Sequence, residues 1–371
     1  MNRLFVSAMN VHGGGGRTLL IALLESLRET SEVIVLVDRR FIKPTNILSN
    51  VLFRAVPPTV WGRGRAEAWL ARQVTHSDRL LCFGNLPPLL RSRGAVTVFL
   101  QNRFLVDEAP LSGFPARTRM RLAAERRWLR CLASHADLFI VQTPSMLSAA
   151  SLSGFLGKRP VIVRPFLAHS FLQPQSKHRE VGIQSNRFLY VASGEPHKNH
   201  RRLVLAWSEL AARGVRPELV LTVGDEAPEL RVWIGEITKR DGLNITNHGR
   251  VSAEQVSALY ESADAMIYPS LLESFGLPLL EAKAAGLPII ASELDYVRDV
   301  ALPAETFDPQ SVVSIVRAVA RFKGIFDATI DCISGAAFID SLAQPRAAGS
   351  AIAQALLPLQ SGAGRASRVI G

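Results

Sequence analysis

Short apolar runs alternate with amphipathic stretches along most of the chain. In the first half, "RLFVSA" (3–8), "EVIVLV" (32–37), "RLLCF" (79–83), "AVTVFL" (95–100) and "LFIVQT" (138–143) are almost uninterrupted by polar residues. Runs of this kind predict strands covered on both faces, because a sheet with one wet face would alternate apolar with polar positions. Between them, "TLLIALLESLRE" (18–29) and the stretch from Pro115 to Ser134 carry apolar residues at helical spacing. The alternation stops at "AHSFLQPQSKHREVGIQSN" (168–186), a polar stretch that reads as a linker, and then restarts. "RFLYVAS" (187–193), "ELVLTV" (218–223), "NITNHG" (244–249), "AMIYPS" (265–270) and "PIIAS" (288–292) predict strands. "NHRRLVLAWSELAAR" (199–213) and "SAEQVSALYESA" (252–263) predict helices.

Strands alternating with helices predict an α/β fold of parallel sheets covered by helices. Two such series separated by a linker predict two doubly wound, Rossmann-like domains, residues 1–167 and 187–345, facing each other across a cleft. Residues 346–371 are expected to form a C-terminal helix and tail that can cross back to the first domain, with "GAGRASRVIG" (362–371) disordered. In such an arrangement ligands bind at the carboxyl ends of the strands, in the cleft.

Composition narrows the class. A chain of 371 residues with 48% hydrophobic and 7% aromatic residues is globular, not disordered or fibrous. Cys82, Cys131 and Cys332 lie far apart and form no C-x-x-C pair, which signals neither a zinc site nor a disulfide framework and fits a reducing compartment. The start "MNRLFVSAMNVHGGGG" lacks the apolar stretch of a signal peptide, and no run of about 18 apolar residues occurs, so a cytoplasmic protein is expected. The net charge of +11 is unevenly placed: residues 1–168 hold 23 Lys/Arg against 10 Asp/Glu, whereas the remainder is net −2. A basic half fits a polyanionic partner, nucleic acid or an anionic membrane surface. The arginine-rich stretch "FPARTRMRLAAERRWLRCLASH" (114–135) can place Phe114, Met120, Ala124, Trp128 and Leu132 on one helical face, as in helices lying on membranes, or can be an ordinary domain helix. Its arginines lack interleaved aromatics and no nucleic-acid-binding motif is present, so no nucleic-acid partner is expected.

Three stretches can carry chemistry. "AMNVHGGGGRTLL" (8–20) follows the first strand and opens a helix. Its Gly14, Gly15 and Gly16 let backbone N–H groups approach a phosphate or a sugar, although the spacing matches neither G-x-G-x-x-G nor the P-loop. "YVASGEPHKNHRRLVLAW" (190–207) places Lys198 at a strand-to-helix turn, where it can pair with a phosphate, with His197, His200, Arg201 and Arg202 expected to add positive potential. In "LLESFGLPLLEAKAAG" (271–286), Pro278 suits a first helical turn and Gly286 a helix end, which predicts a helix from Leu277 to Ala285. Glu281 then falls in its first turn and Glu273 in the loop before it, with the N–H groups of Phe275, Gly276 and Leu277 pointing out of the helix start. A diphosphate can take the N–H groups while the two carboxylates accept hydrogen bonds from sugar hydroxyls on either side.

"PSLLESFGLPLLEAKAAGLPIIAS" resembles the E-x7-E signature of retaining nucleotide-sugar glycosyltransferases of family 4, the glycosyl transferases group 1. "YVASGEPHKNHRRLV" resembles that family's phosphate-binding turn, and "NITNHGRVSAEQVSALYESADAMIYPS" is similar to the strand–helix–strand unit before the signature. "FLQNRFLVDE" and "FIVQTPSML" resemble segments of its bacterial surface-polysaccharide branch. The resemblance covers residues 185–310 closely and 1–165 loosely. It implies the GT-B fold, an acceptor-side first domain and a nucleotide-sugar-binding second domain. It implies Glu273 and Lys198 as catalytic residues, with Gln101 at the strand end where many members carry a histidine. Glu281, Ser274, Phe275, Gly276, Leu277, Ser193 and His197 would bind the donor, Ser193 standing where the family usually has an arginine. Gly14, Gly15 and Gly16 would lie near the phosphates and the acceptor.

The implied reaction moves a sugar from a nucleotide-diphosphate donor to a saccharide acceptor, lipid-linked in such branches, with retention of configuration. It needs no cofactor and no metal. The expected assembly is lipopolysaccharide O-antigen, capsule or exopolysaccharide, at the inner face of the plasma membrane. A catalytically inactive or epimerase-like relative, or a basic nucleic-acid- or membrane-binding protein, is the alternative.

Overall fold

The structure is a computed structural model that describes residues 3–27, 32–43, 51–107, 109–154, 156–167, 186–325, 334 and 339. Two parallel sheets organise it. The first contains β1 (Leu4–Ala8), β2 (Val33–Asp38), β3 (Val51–Val56), β4 (Arg79–Cys82), β5 (Ala95–Phe99), β6 (Leu138–Val141) and β7 (Val161–Val163), in the order β3-β2-β1-β4-β5-β6-β7. The second contains β8 (Arg187–Tyr190), β9 (Glu218–Leu221), β10 (Ile245–Asn247), β11 (Ala265–Tyr268), β12 (Ile289–Ser292) and β13 (Glu305–Phe307), in the order β10-β9-β8-β11-β12-β13. Within the second sheet, Ala265–Tyr268 and Ile289–Ser292 are buried at every position, because helices cover both faces.

Helices α1 (Gly14–Glu25), α2 (Val60–Gln73), α3 (Ala116–Leu132) and α4 (Pro144–Leu152) accompany the first sheet. Its two faces carry separate cores. Phe5, Leu70, Leu122, Leu129 and Phe139 share one with α2 and α3, and Val6, Leu20, Leu24, Phe83 and Phe99 share the other with α1. Around the second sheet lie α5 (His200–Ala212), α6 (Pro228–Asp241), α7 (Ala253–Ser262), α8 (Leu277–Ala284), α9 (Asp295–Arg298) and α10 (Val312–Phe322). They close a single core in which Trp207 stacks edge-on with Phe188 and donates its indole N–H to the Pro217 carbonyl at 2.9 Å. Local chemistry starts the helices: Thr143 caps α4 with Pro144 behind it, and Ser252 forms a reciprocal capping box with Gln255 on α7.

Several sequence expectations need correction. Helix α1 begins at Gly14 and not at Thr18, so the glycines form its first turn instead of a loop before it. Strands β3, β7 and β13 and helices α2, α4, α6, α9 and α10 were not among the predicted elements. The three strands are edge strands, and edges are covered on fewer sides and lack a continuous apolar run. In α3 the buried face is Leu122 and Leu129, continuing to Ala133, whereas Met120 is 73% exposed and Ala124 faces solvent. The expected Phe114–Met120–Ala124–Trp128–Leu132 face is therefore divided: Met120 and Ala124 lie in solvent, while Trp128 packs against the core and Phe114 against Phe104. The polar stretch 168–186 and the tail 346–371 lie outside the described residues, except Asn186. Among the described residues no helix is long and apolar enough to cross a membrane.

Candidate active site

Each sheet has a point where the chain leaves two neighbouring strands in opposite directions. From β8 it crosses to β9, and from the adjacent β11 to β12. The loops after β8 and β11 therefore diverge from the carboxyl edge and leave a crevice there. Residues 191–199 and 269–276, read separately in the sequence, meet at this edge. The first sheet does the same between β1 and β4, which places the glycine turn opposite.

Lys198 ends a short 3-10 turn, Pro196–Lys198, and its Nζ donates to Glu273 Oε1 at 2.7 Å. The Tyr268 hydroxyl donates to the same oxygen at 2.9 Å. Burial alone would raise the Glu273 pKa, but Lys198, with smaller help from its neighbours, reverses the sign and holds the carboxyl below its ordinary range. Glu273 is thus an anion at neutral pH. The Tyr190 hydroxyl donates to the Lys198 carbonyl at 2.8 Å and meets Ser270 Oγ at 2.9 Å, which anchors the peptide behind the lysine. Asn199 follows in the left-handed region at φ 62°, a conformation asparagine tolerates, and its amide donates to the carbonyls of Pro269 and Pro309 at 3.1 and 2.7 Å. The lysine is thereby fixed from both sides.

Gly276 precedes α8 with φ 70°, where a Cβ would also stand 3.0 Å from Leu279 Cδ1. No side chain caps this helix, and the N–H groups of Phe275, Gly276 and Leu277 donate to no other described residue. Glu281 is the fifth residue of α8, not a first-turn residue as the sequence predicted. Its Oε2 accepts from the Tyr260 hydroxyl at 2.9 Å, and burial pushes its pKa up.

The first domain supplies the opposite wall. A Cβ on Gly15 would lie 2.9 Å from Leu277 Cδ1, so the starts of α1 and α8 touch. Gln101 Nε2 donates to the Phe83 carbonyl at 2.7 Å, while its buried Oε1 has no partner and lies 3.7 Å from where a Cβ on Gly16 would be. Ser274, expected to bind donor, is engaged by the first domain: its Oγ accepts from the Arg103 backbone N–H at 2.8 Å and its carbonyl from the Thr143 hydroxyl at 3.2 Å. Asp299 accepts from the Ser145 backbone N–H at 2.9 Å, capping α4 from across the cleft.

The positive potential expected from the histidines is absent. Burial and then Lys198 push His197 down to about 4, and the same causes push His200 down to about 3, so both rings are neutral at pH 7. His197 packs between Phe104 and Phe114, with ring centroids 5.1 and 5.9 Å away. Arg201 lies 4.6 Å over the Trp233 ring, and Arg202 Nη1 donates to Asn199 Oδ1 at 3.0 Å, so neither replaces the charge that Ser193 does not carry. The Ser193 hydroxyl instead donates to Glu195. Sequence reasoning missed Tyr190, Tyr260, Tyr268, Ser270 and Asn199. The only signal for the last was an asparagine directly before a helix. Among the described residues, no group of three or more His, Cys, Asp or Glu side chains is placed to hold a metal ion.

Residues 175–323 match the family glycosyl transferases group 1. The chain is 25% identical over 356 residues to the O-antigen chain mannosyltransferase RfbU of Salmonella typhimurium, covering 86% of this chain and 92% of that one. It is 33% identical over 130 residues to the O-antigen chain mannosyltransferase B of Escherichia coli, covering 33% of this chain and 34% of the relative. Among solved structures, Anabaena HepE in complex with UDP and glucose superposes with a TM-score of 0.62 at 14% identity, over 86% of this chain and 89% of that chain. Sucrose-phosphate synthase of Thermosynechococcus elongatus gives 0.64 at 15% identity over the same shares. The chain is a glycosyltransferase of GT-B fold that carries a glycosyl transferases group 1 domain.

Proposed function

We propose that the protein transfers mannose from a nucleoside-diphosphate donor to a lipid-linked saccharide, with retention of anomeric configuration, in the assembly of a bacterial O-antigen or a related surface polysaccharide. The mannose and O-antigen assignments rest on what the similar proteins RfbU and mannosyltransferase B are named for. The observation that carries the reaction is the Lys198–Glu273 pair, 2.7 Å apart at the edge where the uncapped start of α8 opens onto the cleft. A donor diphosphate there meets Lys198 and the N–H groups of Phe275, Gly276 and Leu277, with the Gly14–Gly16 turn on the other side. Their combined positive potential stabilises the departing diphosphate without a metal ion.

Glu273, held ionised, accepts hydrogen bonds from the donor sugar, and Glu281 from the ribose. His197 lines the site as a neutral, aromatic-packed ring. Gln101 Oε1 accepts from a sugar or acceptor hydroxyl. In the step itself the acceptor oxygen bonds to the anomeric carbon on the face the diphosphate leaves. The C–O bond to the diphosphate breaks, and the hydroxyl proton passes to a diphosphate oxygen. The protein's contribution is position and field.

The acceptor side is basic. Arg117, Arg119, Arg121, Arg127 and Arg130 face solvent on α3 beside exposed Met120, and Val60 and Trp61 at the start of α2 are 89% and 84% exposed. Arg63 of α2 stacks 4.6 Å over the Trp128 ring of α3, so the two helices share a surface. A cationic surface with an exposed tryptophan fits an anionic bilayer, which would hold the enzyme at the inner face of the plasma membrane. Incubation with nucleoside-diphosphate mannose, bacterial lipid-linked oligosaccharide and EDTA, followed by proton NMR of the product, tests the reading. The expected product keeps the donor's anomeric configuration; an inverted product, or transfer abolished by EDTA, contradicts it.

A further inference from the structure

The two glutamates of the candidate site are each held by a buried tyrosine from a different element. Tyr268, at the end of β11, reaches Glu273, and Tyr260, on α7, reaches Glu281. The second pair has a distinct layout. The Tyr260 ring belongs to the core of the second domain and is 4% exposed, while its hydroxyl lies 2.9 Å from Glu281 Oε2 and 3.3 Å from the Pro278 carbonyl. One phenol therefore ties the first turn of α8 to the carboxylate one turn further along. Burial pushes the phenol's pKa well above its ordinary value, so it remains a donor throughout the physiological range. A glutamate has three rotatable bonds, and no other hydrogen bond among the described residues reaches this one. Without the phenol, its carboxylate has nothing to select one orientation.

We propose that Tyr260 is a positioning residue that sets ribose recognition: it occupies Oε2 of Glu281 and leaves Oε1 to accept from the hydroxyls of a nucleoside ribose. The proposal rests on the reading of Glu281 as the ribose-binding carboxylate. A ribose offers two vicinal hydroxyls, and a fixed carboxylate oxygen takes them without first being ordered. Tyr260 would thus contribute to discrimination between ribonucleotides and their deoxy counterparts, although it touches no substrate.

Isothermal titration of the full chain with GDP and UDP, and with 2′,3′-dideoxy-GDP and 2′,3′-dideoxy-UDP, tests this in the wild type, Tyr260→Phe, Glu281→Ala and the double variant. Tyr260→Phe keeps the ring in the core and removes only the hydroxyl, and a melting curve checks that it folds. The expected result is that Tyr260→Phe binds the preferred ribonucleotide about fivefold more weakly, the size of one hydrogen bond. It should bind the dideoxy analogue as the wild type does, and the substitution should change nothing in the Glu281→Ala background. Equal weakening towards ribo and dideoxy ligands, unchanged affinity, or an effect that persists without Glu281 would each overturn the proposal while leaving the site intact. A wild type that binds neither GDP nor UDP would overturn the underlying reading, and the proposal with it.

Discussion

The two rims of the cleft use their polar groups differently. On the second domain's side the glutamates are already engaged: Glu273 with Lys198 and Tyr268, Glu281 with Tyr260. On the first domain's side two neutral amides differ from this: the buried side-chain oxygens of Asn10, in the turn after β1, and of Gln101 accept no hydrogen bond. A buried acceptor without a donor is costly to a fold, so its place beside a cleft points to a ligand that brings hydroxyls. On the proposed function this is a division of labour: the preset charges of the second domain would meet a diphosphate and its sugar, and the unpartnered amide oxygens of the first would meet an incoming saccharide.

The largest effect should come from breaking the charged rim. Glu273→Gln keeps the shape and removes the charge, and turnover followed by nucleotide release should fall about 100-fold or more. Near-normal turnover would remove Glu273 from the site. Gln101→Leu removes the unpartnered acceptor on the other rim and should cost about tenfold in kcat/KM for the saccharide while donor affinity stays within twofold. A loss of donor affinity instead would mean that the rims are not divided in this way.

A third expectation concerns stability and uses the neutral histidines. His197 and His200 protonate near pH 6.5 in an unfolded chain, but only at about 4 and about 3 in the fold. Unfolding therefore takes up protons below about pH 6.5, and stability falls with acidification by up to about 1.4 kcal/mol per pH unit for each histidine. His200 is 2% exposed and neither of its ring nitrogens has a partner. His200→Leu should therefore raise the melting temperature more at pH 5 than at pH 8, and an equal shift at both would contradict the assignment. The smallest effect should be at the outer surface of the first domain. Binding to anionic liposomes should weaken as salt rises and weaken further in Arg117→Glu/Arg127→Glu, with turnover of soluble acceptor unchanged. Binding that ignores lipid charge would count against that surface.

The fold was legible wherever strands lie inside the sheets. "AMIY" and "IIAS" are buried at every position because both faces are covered, and such largely apolar runs stand out in a sequence. The missed β3 shows the opposite case: "VLFRAV" carries Arg54 on a partly wet edge, and its burial follows no continuous run. The site divides in the same manner. Glu273, Lys198, Glu281 and the glycines could be assigned to strand-to-helix stretches from local sequence, although the position of Glu281 within α8 and the start of α1 at Gly14 could not. Tyr260 and Glu281 are 21 residues apart and Tyr190 and Ser270 are 80 apart, and only the folded sheet brings them together. The charge state of His197 and His200 was misread for a related reason, since burial decides it and local sequence does not show burial depth.

The most direct test of the account is a melting-temperature panel of nucleoside diphosphates and their mannose and glucose esters, with and without EDTA, on the wild type and Glu281→Ala. A ligand that binds only the native state at 100 times its Kd adds about 2.7 kcal/mol of stability. One nucleotide series should raise the melting temperature, equally in EDTA, and the rise should be lost in Glu281→Ala. No rise with any nucleotide, a rise that EDTA removes, or one that survives the loss of Glu281 would contradict the site described here.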